Sequence, residues 1–438
     1  MYIIGSTMPK SSIEPYWWDD APLRVLPEQP VQAASDLVIV GAGYAGLSAA
    51  LVAVRAGRSV QVFDRMIAGE GASSRNGGIA SGNLAVSLQK MIKTLGRERA
   101  VAIYREGITA RLGLAAFIEH EGIACDYAPV GRFTGATSRK DYDGLGRTAD
   151  LINRHLDLAA YVVSRQQQHR EIGTDYYFGG LVRPDIGGLH PAKFNAGLLA
   201  KVVAEGGIVH GETAVTGVVR EGGKFDVGTA RGCVRAGNVI VTTNGYTDQS
   251  NRWLRRRLIP IPSRMIATDP VAPEVMARLM PKRRMCGETN RLFHYFRPSP
   301  DGRRILLGGR EGVFKDTPDA FADHLKADLN RIFPELTAVG ISHSWSGNIA
   351  YNLDFLPRLF VRDGVRYAVG FCGSGVIWAW WLGRQAGLQA IGDRSAASLF
   401  NCDPPKALPL YNGRPWFLPL AIGWYGLQDR LKGRKSQE

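Results

Sequence analysis

In the segment Gly41-Ala42-Gly43-Tyr44-Ala45-Gly46, residue type and spacing together point to a ligand. It follows Asp36–Val40, an apolar run of the kind that forms a buried parallel strand, and it opens an Ala/Leu-rich stretch to Ala56 that predicts a helix stopped by Gly57. Gly41 would allow the tight turn, Gly43 the approach of backbone to a pyrophosphate, and Gly46 the close packing of helix on strand. The helix N-terminus, with its free N–H groups, would face the phosphates. A second apolar run, Ser59–Phe63, ends in Asp64, where a carboxylate can accept hydrogen bonds from an adenosine ribose. A lone G-x-G-x-x-G is a weak signal. Strand, glycines, helix, second strand and terminal acid in this order predict a dinucleotide site.

The next segment separates one dinucleotide from another. After Asp64-Arg65 comes a Ser/Gly-rich loop that ends in Ser73-Ser74-Arg75-Asn76-Gly77-Gly78. It offers N–H groups and short hydroxyls to a ligand that continues past the pyrophosphate toward a flavin, and it argues against an NAD-dependent dehydrogenase. With this loop the chain resembles the D-amino-acid-oxidase/glycine-oxidase-like superfamily of FAD-dependent oxidoreductases, most closely its gamma-glutamylputrescine-oxidase-like branch, related to the sarcosine oxidases. There an E-x-Y-W segment, here Glu14-Pro15-Tyr16-Trp17, precedes the glycines, and a G-A-S-x-R-N-G-G loop follows them. The resemblance runs over about residues 14–400. Val239–Val241 with Thr242-Thr243-Asn244-Gly245-Tyr246 is similar to the family's strand and A-x-N-x-Y turn beside the cofactor. A residue near Val215 would pair its backbone with the adenine. Tyr367–Gly370 leads into Phe371-Cys372-Gly373-Ser374-Gly375-Val376-Ile377, similar to the family's G-F-x-G-x-G, whose helix end faces the flavin pyrimidine ring. A positive helix end there would stabilise the anionic reduced flavin.

The resemblance implies a mixed α/β fold: a Rossmann-like FAD-binding domain interleaved with a substrate domain built on an antiparallel or mixed sheet with helices. The FAD domain would be assembled from about residues 31–95, 189–249 and 341–400, and the substrate domain from about 96–188 and 250–340. Residues 1–30 would form an N-terminal arm and 401–438 a C-terminal tail. Helical periodicity predicts helices over Arg97–His120 and Asp319–Phe333, while Arg291–Phe296 and Arg303–Gly308 read as strands joined by a Pro298–Gly302 turn.

The chemistry implied is oxidation of an amine: flavin N5 takes a hydride from the carbon beside a neutral nitrogen, and water splits the resulting imine. No acid or base is assigned, because the protein's task is to position that carbon and hold the rest of the substrate. Tyr295 matches a substrate-contacting tyrosine of the monomeric sarcosine oxidases, and Arg310 occupies the place of their active-site histidine. Arg297 and Arg310 are candidate carboxylate clamps; Trp345, Tyr351 and Trp378 would wall the pocket or fill the core. Three family features are missing. Leu306 stands where those oxidases carry an oxygen-activating lysine, and Ile377 replaces the lysine that binds their substrate carboxylate. Their flavin-linking cysteine falls near Trp345, and the alternative attachment histidine, near Ser73–Ser74, is absent as well. FAD is therefore expected to be non-covalent, with oxygen or a quinone as electron acceptor.

Composition is consistent with this reading. At 438 residues with 45% apolar and 21% charged residues the chain is an ordinary globular protein, and 52 glycines suit tight turns and backbone–ligand contact. An excess of 14 positive charges favours an anionic small substrate over nucleic acid, since no nucleic-acid motif accompanies it. The five cysteines, Cys125, Cys233, Cys286, Cys372 and Cys402, show neither disulfide nor zinc spacing, and no metal is expected. No run reaches the ~18 apolar residues of a spanning helix. A cytoplasmic protein without a signal peptide is expected, of undetermined oligomeric state. The tail, with Trp416, Trp424 and Tyr425 ahead of Arg430, Lys432 and Arg434, would pack on its own domain or a neighbouring subunit, or lie as a shallow anchor on the inner face of a membrane. A flavin-binding subunit without its own substrate remains the non-enzymatic alternative.

Overall fold

The computed structural model describes residues 11–309 and 318–434. The apolar run ahead of the first glycines forms the strand Ala34–Val40 at the centre of an eight-stranded sheet. The order across that sheet is Arg358–Arg362, Val365–Val369, Gly232–Val241, Ala34–Val40, Val60–Phe63, Ile208–His210. The hairpin Val215–Glu221/Lys224–Thr229 is paired alongside Gly232–Val241. The inner pairings are parallel and only Arg358–Arg362 joins this row antiparallel. Parallel neighbours require crossovers, and the helix Tyr44–Arg55 supplies the first, between Ala34–Val40 and Val60–Phe63. This is the doubly wound, Rossmann-like half of the mixed α/β fold.

The second sheet also has eight strands, in the order Ile341–Tyr351, Ile259–Thr268, Ile305–Gly309, Tyr295–Pro298, Met285–Glu288, Arg132–Gly135, Gly180–Arg183, Tyr161–Val163. Every pairing in it is antiparallel except that of Met285–Glu288 with Arg132–Gly135. Side chains alternate between its faces. Phe133, Ile266, Phe296 and Leu307 enter a core with Leu325, Leu329 and Phe333, the first two from the helix Pro318–Ile332. Thr134, Ser263 and Tyr295 face the other way.

Two boundaries differ from the sequence expectation. Ile341–Tyr351 pairs with Ile259–Thr268, so the division expected at 341 falls inside the second sheet; its alternating Ser and apolar residues suit a half-buried antiparallel strand better than a parallel core strand. Residues 291–294 precede the strand Tyr295–Pro298, because side chains take their N–H groups: Asp429 accepts from Arg291 and Leu292, and Glu288 from His294. The tail contains a helix, Leu418–Arg434. Pro419 lies in its first turn, where no intrahelical donor is needed.

Candidate active site

A cavity of about 860 Å³ runs from the first sheet's glycine turn to the free face of the second sheet. At the glycine end the backbone geometry is forced. Gly41 has φ +109°, and a Cβ on Gly46 would stand 1.8 Å from the Gly41 oxygen, so Gly46 sets the strand–helix contact without lining the cavity. Gly43, the N-cap of Tyr44–Arg55, does line it, with Tyr44 and Ala45. A Cβ on Gly43 would meet Ser73 Oγ at 2.6 Å. That hydroxyl accepts the Tyr44 N–H at 2.9 Å and so ties the Ser/Gly-rich loop to the helix start.

Asp64 lines the same end and accepts from the Ala42 N–H at 2.8 Å and the Met66 N–H at 3.0 Å. Burial pushes its carboxyl above the usual carboxylate range. Its neighbour Arg65 pairs with Asp248 at 2.9 Å, which leaves the Asp64 oxygens for ligand hydroxyls. Val215 opens onto the cavity nearby.

The loop that follows is held by Asn76, whose Nδ2 donates to the Ala72 and Ser73 oxygens, both at 3.0 Å, and whose Oδ1 accepts from the Gly78 N–H at 2.8 Å. Ser73, Arg75, Asn76 and Gly77 line the cavity; Ser74 and Gly78 do not. Ser74 Oγ instead accepts from Trp18 Nε1 at 3.0 Å, and Gly78, at φ +69°, is pressed against the Leu189 oxygen. The N-terminal E-x-Y-W segment therefore buttresses the loop from behind, with Arg75 stacked on Trp18.

From the other end of the chain, Phe371 to Val376 bring the N-terminus of the helix Gly375–Ala390 to the cavity. Cys372 and Gly373 are both at positive φ, and the Cys372 thiol donates to the Gly370 oxygen at 3.0 Å. Asn244, itself at φ +43°, accepts from the Gly370 N–H at 2.8 Å. Thr243 and Asn244 line the cavity, whereas Gly245 packs against the Asn348 backbone and Ile377 is buried in the core.

Two helix N-termini, a side-chain-free approach at Gly43 and a buried acid with unused lone pairs make a cradle for a long dinucleotide. The family model described as DAO, FAD dependent oxidoreductase, matches residues 36–387. The chain belongs to this family. The chain is similar to "Probable oxidoreductase OrdL" of Rhizobium meliloti, 28% identical over 96% of this chain and 99% of the relative. Gamma-glutamylputrescine oxidoreductase of Escherichia coli is 29% identical over 90% of this chain and 93% of the relative. The fold is shared with glycine oxidase from Geobacillus kaustophilus, with a TM-score of 0.72 at 18% identity, over 84% of this chain and 97% of that one. The cofactor of this oxidoreductase is FAD.

On the far side of the cavity the second sheet contributes Tyr295, whose hydroxyl lies 2.9 Å from Ser263 Oγ. Its ring is wedged between two glycines: a Cβ on Gly77 would meet it at 2.8 Å and one on Gly308 at 2.3 Å. Tyr351 also lines this side. Three other expected substrate contacts do not reach the cavity. Arg297 is buried with Nη1 donating to the Leu189 oxygen at 2.7 Å and Nε to the Pro298 oxygen at 3.1 Å, and burial lowers its pKa to about 10. Trp345 donates to the Arg75 oxygen and Trp378 to the Asn83 oxygen, so both indoles are used as struts between elements. Leu306 is buried with Trp17 and Trp345, also away from the cavity. Arg310 lies outside the described residues.

The sequence reading missed Arg132, Thr134, Arg291 and Phe293, all of which line the cavity. Arg132 and Thr134 flank the core residue Phe133 on a four-residue strand, too short for alternation to be read. Arg291 stacks on Tyr425 of the tail helix.

Proposed function

We propose that this FAD-dependent oxidoreductase oxidises the C–N bond of a small amine that carries a carboxylate, such as an N-substituted glycine or a gamma-glutamyl amine. The charge distribution of the cavity carries this reading. Its acids, Asp64, Asp248 and Asp363, all belong to the dinucleotide side. Among the described residues, the second sheet and its loops add Arg132 and Arg291 and no Asp or Glu. Cations there attract a carboxylate, and without an acid to hold an ammonium the amine is favoured in its neutral, oxidisable form. The named substrates of the two relatives, gamma-glutamylputrescine and glycine, are amines with a carboxylate and agree with it.

Bound FAD supplies the two-electron acceptor. The Tyr295 ring, fixed by Gly77, Gly308 and Ser263, gives the substrate a rigid wall beside the loop that contacts the cofactor. An anaerobic panel of amines, scored by loss of flavin absorbance, tests the proposal. Carboxylated amines should bleach the flavin and their decarboxylated or amide counterparts should not. Bleaching by NADH alone, or by no amine, would refute the proposal in favour of a nicotinamide-linked enzyme or a non-catalytic flavin subunit.

A second reading concerns the acceptor. No described helix is long and apolar enough to cross a membrane. Just ahead of the tail helix Trp416 is exposed at 65%, and on the helix Leu420, Trp424 and Leu427 are exposed at 74%, 59% and 49% and recur at helical spacing on one face. Such a stripe suits peripheral contact with lipid and delivery of electrons to a membrane quinone.

A further inference from the structure

Among the described residues, Arg132 is a cation with no counter-ion. Its Nε is enclosed and without a hydrogen-bond partner, and no ion pair or side-chain hydrogen bond is made by its guanidinium among the described residues. The nearby acids are all engaged elsewhere. Asp185 is bound by Arg183 at 2.7 Å and Arg111 at 2.6 Å, Glu171 by Arg284, and Glu288 by His294 at 3.0 Å. Burial lowers the pKa of Arg132; Cys286 opposes this and the like charge of Arg183 adds to it. A guanidinium still remains charged in a protein, so its desolvation goes uncompensated until an anion reaches it.

The fold aims this group at the cavity. Arg132 sits two residues from Thr134 on one face of a central strand of the second sheet, and both line the cavity. Its guanidinium lies across the adjacent strand over Gly287, where a Cβ would stand 2.5 Å from Nη2. Gly287 has no side chain to contest that space.

We propose that Arg132 is the anion anchor of this site, its guanidinium receiving the substrate carboxylate, and that Gly287 leaves room for it. The inference rests on the reading of the cavity as an amine-oxidation site for carboxylated substrates and assigns the residue that recognises the carboxylate. Arg291, at the mouth and half-engaged with Tyr425, would attract the anion; Arg132 would hold it.

The test uses the FAD-loaded full-length protein and two isosteric probes, benzoate and benzamide, titrated by their perturbation of the flavin spectrum, with thermal midpoints in parallel. Loss of a charge-assisted fork weakens an anion by about ten- to a hundredfold, so Arg132→Met should weaken benzoate by that factor while benzamide is unchanged. Because the substitution removes a partly buried charge that no described residue pairs, the thermal midpoint should hold or rise. Arg132→Lys should fall between the two, keeping charge without the fork. Gly287→Ala should weaken benzoate although Arg132 is still present. Equal benzoate affinity in wild type and Arg132→Met would overturn the assignment. So would equal loss of both probes with a lowered midpoint, which marks a structural arginine. Should Arg132→Met not fold, unchanged benzoate binding in both Arg132→Lys and Gly287→Ala would also overturn it. If amines bleach the wild-type flavin but these variants bind benzoate normally, the anchor fails alone. If benzoate binding depends on Arg132 but no amine bleaches the flavin, the function fails and the anchor stands.

Discussion

A Cβ on Gly383 would lie 2.2 Å from the Ala45 backbone oxygen and 2.5 Å from the Ala45 Cα. One turn later Gly387 stands in the same relation to Ala49, with 2.8 Å to its oxygen. The helices Tyr44–Arg55 and Gly375–Ala390 thus touch backbone to backbone. Their N-termini, which come from opposite ends of the chain, open on one cavity because of this contact. Bulk between them would splay the two ends of the cofactor cradle.

Gly383→Ala should therefore destabilise the fold, although Ala is the better helix former by ~1 kcal/mol. Overpacking against backbone costs about 1–3 kcal/mol, and the clash cannot be relieved by turning a side chain. The expected order of thermal midpoints is wild type, then Gly387→Ala, then Gly383→Ala, then Gly383→Val, with retained FAD falling in the same order. A higher midpoint for Gly383→Ala would show that the helices can separate without cost.

Those two glycines show why only part of the site could be read from the chain. The G-x-G-x-x-G turn, Asp64, the Ser73–Gly77 loop and the Phe371–Val376 turn are local: each motif carries its own geometry, and each lines the cavity. Arg132 and Arg297 required knowledge of partners. Both are arginines on short strands of one sheet, and nothing local says that the Leu189 and Pro298 carbonyls satisfy one while, among the described residues, the enclosed Nε of the other has no partner. Ser74 and Gly78 sit in the right loop but are turned away by Trp18 and Leu189, contacts from segments distant in sequence. The tail helix was hidden by Pro419, Gly423 and Gly426, whose cost is met by docking through Asp429.

Gly43→Val should yield folded protein that does not keep FAD. The new side chain would displace Ser73 Oγ, removing its bond to the Tyr44 N–H, and would occupy the approach to the pyrophosphate. Absorbance near the flavin maximum after gel filtration measures it; a variant that stays yellow would move the phosphate site elsewhere.

FAD should be released by acid or heat and leave no fluorescence on the polypeptide after denaturing electrophoresis. Cys372 is the cysteine that lines the cavity, and its thiol is directed to the Gly370 oxygen at 3.0 Å. Cys372→Ala should release FAD identically. Fluorescence that stays with the wild-type band and is lost in Cys372→Ala would establish a thioether instead.

His190 should make the fold acid-sensitive. It is fully buried, stacks edge-on against Trp17, and caps the helix Pro191–Ala204 by accepting the Lys193 N–H at Nδ1, 3.2 Å away. Lys193 and Arg297 face it as cations, with Asp126 opposing them, and burial chiefly lowers its pKa to about 4. The folded state thus requires the neutral ring, and stability present above the unfolded value of ~6.5 is lost as pH falls toward 4. Between pH 7.5 and 5.5 this residue alone should cost about 1.4 kcal/mol. His190→Asn keeps a cap acceptor without the charge, so its midpoint should fall less over that interval than the wild type's. Parallel curves for the two proteins would show that His190 is protonated in the fold.

The last prediction joins the tail to the acceptor. Asp429 of the tail helix accepts the Arg291 and Leu292 N–H groups at 3.1 and 3.0 Å, and Arg291 lines the cavity mouth while stacking on Tyr425. The same helix turns Leu420, Trp424 and Leu427 to solvent, and Trp416 is exposed in the turn that leads into it. A lipid surface that bound this stripe would lie against the loop that frames the entrance, bringing a membrane quinone close to the site. Wild-type protein should co-sediment with anionic vesicles, and the binding should weaken with salt as the basic residues following the stripe are screened. Replacing Trp416, Leu420 and Trp424 together by Ser should abolish sedimentation and leave turnover with a soluble dye unchanged. Turnover with a vesicle-borne quinone should fall with the lost binding. Asp429→Ala should differ: it frees the mouth loop, and its effect should appear in KM for the amine even without vesicles. Peroxide formation as fast as quinone reduction, with no vesicle binding by the wild type, would remove the membrane from the account and make oxygen the acceptor.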